Sequence, residues 1–97
     1  MNFVFEYQGI EFVWDAEKAA QNQEKHNVAF EIAVTVFFDP FIKVIDASVD
    51  YEQRDAAIGF DSIARLLFVV HIQQADDRIR IISARRATRE EESFYAQ

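Results

Sequence analysis

The chain has 97 residues, of which 51% are apolar, and it contains two glycines, one proline and no cysteine. At this length we expect one hydrophobic core and one domain over residues 1–97, and the absence of cysteine excludes a disulfide framework and a thiolate metal site. The net charge of −7 by itself argues against a nucleic-acid-binding protein, because binding to phosphates depends on Lys and Arg.

No segment of the sequence predicts a membrane span. The longest purely apolar run, residues 66–70, is too short to cross a bilayer, and the first residues lack the basic stretch of a secretion signal. We therefore expect the protein to be cytoplasmic.

The chain opens with two predicted strands. Residues 3–7 and 10–14 are β-branched and aromatic runs, which are typical of strands. Gln8 and Gly9 between them suit a two-residue turn, so we expect a hairpin.

A helix is predicted after the hairpin. Asp15 can cap its first turn, the helix runs to about His26, and Asn27 tolerates the left-handed conformation at its end. Ala19, Asn22 and His26 share one face at three- and four-residue spacing. The buried stripe is therefore thin, and most of the helix is exposed to solvent.

Residues 30–38 fit either a strand or a helix. Their β-branched content favours a strand, whereas their apolar residues at three- and four-residue spacing form a helical stripe. We predict a helix that ends at Asp39 and Pro40, because the residue before a proline is driven away from the α region.

The rest of the chain predicts four strands and a terminal helix. The strands are at residues 41–47, 54–60, 65–72 and 78–85. Thr88 and Glu91 fit a capping box at the start of the helix. The order is ββααββββα, which predicts an α+β fold with a mainly antiparallel sheet.

The positive charge is concentrated near the C terminus. Residues 1–61 hold four basic and twelve acidic side chains, whereas residues 62–89 hold six arginines and two aspartates. Alternation along the last strand sends Arg80 and Arg86 to one face of the sheet and Arg85 to the other. Arg80 lies among apolar residues, so we expect it to be paired or to face a cleft, because a buried unpaired charge is costly.

Short motifs are spread along most of the chain. They are Trp14-Asp15 with Lys18 and Asn22, Lys25-His26, Phe30-Glu31, Val36-Phe37 with Asp39-Pro40, Arg54, Ile58-Gly59 and, most specifically, the run from Ile79 to Thr88. Together these residues resemble the BrnT family of ribonuclease toxins. The resemblance implies a RelE-like ribonuclease fold, RNA cleavage without a metal or another cofactor, and a ribbon-helix-helix antitoxin of the BrnA type as partner. It also implies that operator DNA is bound only through that antitoxin.

The sequence departs from the family pattern at three places. Asn27 stands where glycine is usual, Gln53 stands where glutamate is usual, and the last helix carries three glutamates, residues 90–92, where relatives tend to carry basic residues. Fewer cations weaken the attraction for phosphate, so these changes bear on catalytic strength rather than on the fold.

Cleavage of RNA without a metal requires groups that move protons and groups that stabilise negative charge on phosphorus. His26 is the best candidate for proton transfer, because an imidazole can act as acid or base near neutral pH. Arg80 and Arg85 are the candidate catalytic arginines, because a planar guanidinium can donate two hydrogen bonds to a phosphate. The candidate substrate-binding residues are Lys25, Arg54 and Arg86.

Three of these residues have a structural alternative that the sequence leaves open. His26 can cap the last carbonyls of its helix, Arg80 can pair with a buried carboxylate, and Arg54 can pair with Glu52 or Asp55 at a sheet edge. The alternative function is a toxin-fold protein with little or no nuclease activity that binds an antitoxin-like partner through apolar and acidic surfaces. Self-association is a further alternative, because ten phenylalanines can leave an apolar patch on so small a protein.

Overall fold

The computed structural model describes all 97 residues except for the side chain of Asp76. Its strands are β1 (Asn2–Tyr7), β2 (Ile10–Asp15), β3 (Lys43–Asp46), β4 (Asp55–Phe60), β5 (Leu66–Gln73) and β6 (Ile79–Arg86). Its helices are α1 (Ala16–His26), α2 (Phe30–Ala33) and α3 (Arg89–Tyr95), with 3₁₀ segments at Val34–Phe38 and Ala75–Asp77. The predicted α+β order ββααββββα is therefore confirmed.

The six strands form one sheet in the order β1-β2-β6-β5-β4-β3. Neighbouring strands are antiparallel except β2 and β6, which are parallel, so the sheet is mixed although mainly antiparallel. The parallel pairing covers only Phe12 with Ile79 and Val13 with Arg80. Beyond Arg80, β6 separates from β2, and this gap is where α1 approaches the sheet.

Local signals in the sequence place the ends of the first elements correctly. Gln8 and Gly9 both have positive φ, 50° and 83°, and join β1 to β2 in a two-residue turn. The Asp15 carboxylate accepts a hydrogen bond from the backbone N–H of Glu17 at 2.8 Å and caps α1. Asn27, with φ of 57°, ends α1 in the left-handed conformation.

Residues 30–38 are helical throughout, which confirms the prediction, but the helix tightens after one α-helical turn. The 3₁₀ segment Val34–Phe38 begins with three β-branched residues, whose crowding disfavours a longer α-helix. Asp39 then turns the chain, and its Oδ1 accepts a hydrogen bond from the N–H of Phe41 at 2.9 Å. β3 consequently begins at Lys43, two residues later than predicted.

The sheet has an inner face covered by helices and an outer face that is covered only in part. On the inner face, α1, α2 and Val34–Phe38 enclose the main core, whose largest fully buried members include Phe12, Phe30 and Leu67. On the outer face, α3 contacts β4, and its Tyr95 ring lies 5.5 Å from the ring of Phe60. α3 therefore covers one end of this face.

A β-bulge in β6 overturns the predicted alternation of its side chains. Val70 of β5 pairs with Ser83, whereas the next residue pairs with Ile81, so Ile82 is an extra residue on β6. Ile81 and Ala84 both enter the inner core as a result. Arg80 and Arg85, which strict alternation placed on opposite faces, share the outer face.

Candidate functional site

Two of the predicted site residues, Lys25 and His26, line one pocket beside α1. The pocket has a volume of about 220 Å³ and lies between α1 and the bulged part of β6. We refer to it as the α1 pocket, and its lining residues are Lys18, Gln21, Asn22, Lys25, His26, Ile82 and Ser83. The sequence analysis did not assign Lys18 to the site, although its spacing of seven residues from Lys25 places both on one helix face.

Asn22 fastens α1 to the sheet at the base of the α1 pocket. Its side-chain amide donates to the carbonyl oxygens of Val28 at 3.0 Å and Ala84 at 2.9 Å, and its Oδ1 accepts from the N–H of Ala84 at 3.0 Å. The residue is only 7% exposed. One amide thus satisfies both backbone groups of Ala84 at the point where β2 has left β6.

A second anchor holds the end of α1 next to His26. Arg65 donates from Nη1 to the carbonyl oxygen of Asn27 at 2.9 Å and from Nε to the Asp61 carboxylate at 2.8 Å. The Asp61 side chain is fully buried and also accepts from the N–H groups of Ile63 and Arg65. The helix is therefore tied to the sheet on both sides of the Lys25-His26 pair.

The α1 pocket carries positive charge that is not neutralised within the chain. Among the described side chains, neither Lys18, Lys25 nor His26 lies within 4.0 Å of a carboxylate oxygen. Lys18 and Lys25 are exposed, and His26 is half-buried at the end of the helix. A pocket with two free ammonium groups beside an imidazole is suited to an anion such as a phosphate.

The two candidate catalytic arginines lie on the outer face and do not line this pocket. Arg80 is half-buried and donates one hydrogen bond of 3.3 Å to the Asn2 side chain. Arg85 donates from both terminal nitrogens to Glu91, at 2.8 and 2.9 Å, and lies over the ring of Phe68 at 4.2 Å. The guanidinium of Arg85 therefore positions α3 through Glu91. Most N–H donors of Arg80, by contrast, have no partner among the described residues and can bind another molecule.

The Arg85–Glu91 contact also changes the acidity of the carboxylate. Hydrogen bonds from Arg85 lower the pKa of Glu91 from its ordinary value, and Thr88 lowers it further, although burial opposes them. Glu91 accepts from the N–H of Thr88 at 2.8 Å, so the predicted capping box is confirmed. One carboxylate thus joins the start of α3 to β6.

The other two candidate substrate-binding residues lie apart from each other. Arg54 forms an ion pair with Glu52 at 3.0 Å, which is one of the two structural alternatives that the sequence left open. Arg86 is exposed at the end of β6, where it pairs with the buried Leu67 and so lies on the inner side of the sheet. The six predicted site residues are thus not gathered in one cleft.

The second histidine has a structural position. His71 is 5% exposed on the inner face and meets the ring of Phe37 edge-on at 4.8 Å. Burial lowers its pKa, in spite of a hydrogen bond to the carbonyl of Val69 and the charge of Asp55. A histidine held neutral in the core cannot reach a substrate from this position.

In the part of the chain that the structure describes, the His, Asp and Glu side chains form no group of three that could hold a metal ion. None of its helices has the length and apolar character needed to cross a membrane.

Comparison with known proteins bears on the same region. The sequence model of one protein family, described as the ribonuclease toxin BrnT of type II toxin–antitoxin systems, matches residues 14–91. This range holds α1, the whole α1 pocket and β6. A search among curated proteins found no match.

Proposed function

The chain belongs to the BrnT family of ribonuclease toxins of type II toxin–antitoxin systems, and from this membership we propose that it cleaves RNA without a metal, at the α1 pocket. The observation that carries the location is the convergence of Lys18, Lys25 and His26 on one pocket. Type II membership implies an antitoxin partner. We propose that this antitoxin is of the BrnA type and that it neutralises the cleavage.

The proposed reaction is an internal transesterification. The 2′-oxygen of a ribose attacks the adjacent phosphorus, the bond to the 5′-oxygen breaks, and the products carry a 2′,3′-cyclic phosphate and a 5′-hydroxyl. His26 takes the proton from the 2′-hydroxyl, and its imidazolium or a water protonates the leaving oxygen. Lys18 and Lys25 stabilise the negative charge that develops on the phosphate.

We assign the outer-face arginines a different role from the one that the sequence predicts. Arg80 has donors to spare and can bind a flanking phosphate of the RNA, as can the exposed Arg86. Arg85 positions α3 through Glu91. Arg54 is the candidate least suited to contact RNA, because its guanidinium already forms a surface ion pair with Glu52.

The test is cleavage of a purified unstructured RNA in the presence of EDTA. We expect the wild type to cut, to leave 2′,3′-cyclic phosphate ends, and to spare a strand whose 2′-hydroxyls are replaced by hydrogen. The His26→Ala variant should lose about 100-fold or more in rate, since general acid–base groups contribute about 10²–10⁴. Arg80→Ala should lose no more than about tenfold, as expected for one peripheral phosphate contact.

Two controls make this test decisive. Arg89→Ala removes an exposed charge on α3, far along the chain from α1, and should leave the rate within about threefold of wild type. Circular dichroism and a denaturation curve for each variant separate lost chemistry from lost fold. If Arg80→Ala or Arg85→Ala abolishes cleavage and His26→Ala does not, the reaction centre lies on the outer face.

A wild type that fails to cut even at low salt and high concentration would contradict the nuclease proposal. The protein would then be a partner-binding module of toxin fold, the alternative that its acidic surface favours. We further propose that operator DNA is contacted through the antitoxin alone, because the first turn of α3 holds three glutamates after Arg89 and offers no basic face to a groove. The proposed activity belongs in the cytoplasm, where cellular RNA is its substrate.

A further inference from the structure

A second concave region of the molecule lies outside the α1 pocket. It is lined by the segment from Thr35 to Pro40, by the end of β4 with the turn that follows, and by Tyr7, and its volume is about 330 Å³. Three rings, those of Tyr7, Phe38 and Phe60, contribute to its wall. We refer to it as the aromatic groove.

The groove carries a negative charge, that of Asp39, which has no ion-pair partner among the described side chains. The Asp39 carboxylate accepts hydrogen bonds from the N–H of Phe41 at 2.9 Å, the N–H of Phe60 at 2.8 Å and the hydroxyl of Tyr95 at 2.5 Å. These hydrogen bonds lower the pKa of Asp39 although burial opposes them, so the carboxylate stays ionised. The other carboxylate of the groove, that of Asp61, is by contrast neutralised by Arg65.

Exposed apolar side chains belong to the lining of the groove or directly follow its residues along the chain, and we refer to them as the rim. Phe41 follows Pro40 of the lining and is 73% exposed, and Ile63 follows the lining residue Ser62 and is 61% exposed. Phe60, which belongs to the lining itself, is 44% exposed. Large apolar side chains grouped around a concave surface mark a place where another molecule is bound.

These features select the kind of occupant. A phosphate would be repelled by Asp39, so an RNA strand does not fit the groove. Three of the polar side chains of the lining, Thr35, Asp39 and Asp61, already bond within the chain, so a small polar ligand would have to compete with these bonds. A basic side chain would neutralise Asp39 and pack on the aromatic rings, while apolar neighbours would cover the rim.

We propose that the aromatic groove is the docking site of the antitoxin, and that it receives a segment with a basic side chain flanked by apolar ones. The proposal rests on the proposed function, because it takes the partner to be the antitoxin of a toxin pair. The docking proposal goes beyond that function, because it assigns recognition of the antitoxin to a surface that is separate from the α1 pocket.

The experiment measures binding of the purified antitoxin of the same pair by isothermal titration calorimetry. The test variant is Phe41→Ser with Ile63→Ser. The control is Val49→Ser with Tyr51→Ser, which also removes two exposed, largely apolar side chains, but beyond the end of β3. We expect the test variant to bind about 30-fold more weakly and the control to bind within about threefold of wild type. The wild-type affinity should also fall as salt is raised.

RNA cleavage by each variant without antitoxin separates the two proposals. The rim variant should cut RNA as fast as the wild type, since it leaves the α1 pocket intact. If that variant binds antitoxin as tightly as the wild type, or if the antitoxin does not bind the wild type, the docking proposal is wrong and the nuclease proposal is untouched. If neither the wild type nor any variant cuts RNA, but only the rim variant binds the antitoxin more weakly, the docking proposal is supported and the nuclease proposal is wrong.

Two other occupants would also be detected. If the groove were an interface between two copies of this chain, the wild type would sediment as a dimer and the rim variant as a monomer. If the groove bound RNA, the rim variant would lose RNA affinity in the absence of antitoxin. Either result would overturn the assignment of the groove to the antitoxin.

Discussion

The α1 pocket and the aromatic groove are two concave regions of the molecule, and they have opposite electrostatic character. Lys18, Lys25 and His26 line the pocket, and none of them has a carboxylate partner among the described side chains. The groove has three aromatic rings and the ionised Asp39. A chain with a net charge of −7 can therefore attract an RNA at one place and a basic protein segment at another.

The two regions are also physically joined. Asp61 lies in the wall of the groove and holds Arg65, which in turn binds the carbonyl of Asn27, the residue after His26. The Asp61–Arg65 ion pair thus connects the wall of the negatively charged groove to the end of the helix that carries the positively charged pocket.

Breaking the connection should have the largest effect. Arg65→Met leaves the buried Asp61 carboxylate without its cation and frees the end of α1, so we expect a loss of about 3 kcal/mol in the free energy of unfolding. Urea denaturation measures this loss. The double variant with Asp61→Asn should regain part of it, because no uncompensated charge is then buried. Equal stability of Arg65→Met and wild type would show that the connection does not hold the helix.

Loosening the pocket alone should cost less. Asn22→Ala leaves the carbonyl and N–H of Ala84 and the carbonyl of Val28 without partners, which should lower the free energy of unfolding by about 2 kcal/mol. Gln21→Ala, at the neighbouring exposed position of α1, is the matched control and should change stability by less than about 0.5 kcal/mol. A similar loss in both variants would contradict the role given to Asn22.

Removing the charge of the pocket should act on RNA binding rather than on stability. With Lys18→Gln and Lys25→Gln combined, two fewer phosphates are neutralised, so the slope of log affinity for single-stranded RNA against log salt should shrink by about 1.4. Fluorescence anisotropy at several salt concentrations measures this slope. Asp39→Asn changes the charge of the groove instead and should not reduce the slope. An unchanged slope in the lysine variant would place RNA elsewhere.

The smallest expected effect concerns pH and the buried histidine of the core, His71. Burial lowers the pKa of His71 in the folded state, so its contribution to stability is present above the ordinary value of 6.5 and is lost as the pH falls below it. Between pH 8 and pH 6 the loss should be under about 1 kcal/mol. His71→Phe, which fits beside Phe37, should remove this dependence in thermal unfolding curves, whereas His26→Ala should retain it.

Sequence reasoning succeeded where the determining residues are close together along the chain. Asp15, Gln8 with Gly9, and Thr88 with Glu91 act over two to three positions, and all three local structures are confirmed. Helical spacing likewise places Lys18, Asn22 and Lys25 on one face of α1, and these residues line the α1 pocket together with His26.

The remaining features depend on contacts between distant segments. The bulge at Ile82 exists only in the pairing of β6 with β5, so the side of the sheet taken by Arg85 could not be read from alternation. The contact of Asn22 with Ala84 spans 62 positions. The aromatic groove is likewise assembled from Tyr7, the 3₁₀ segment and the end of β4.

The amide of Asn22 has one more consequence, which concerns association between copies of the chain. Past Arg80, β6 has no strand beside it on the side of β2, and an exposed strand edge is a template for pairing with another chain. The side chain of Asn22 offers a carbonyl and an N–H to Ala84 much as a neighbouring strand would. Asn22, a helix residue, thus occupies the backbone groups of Ala84 that β2 leaves unpaired. We expect this to disfavour aggregation by pairing of β6 with another chain.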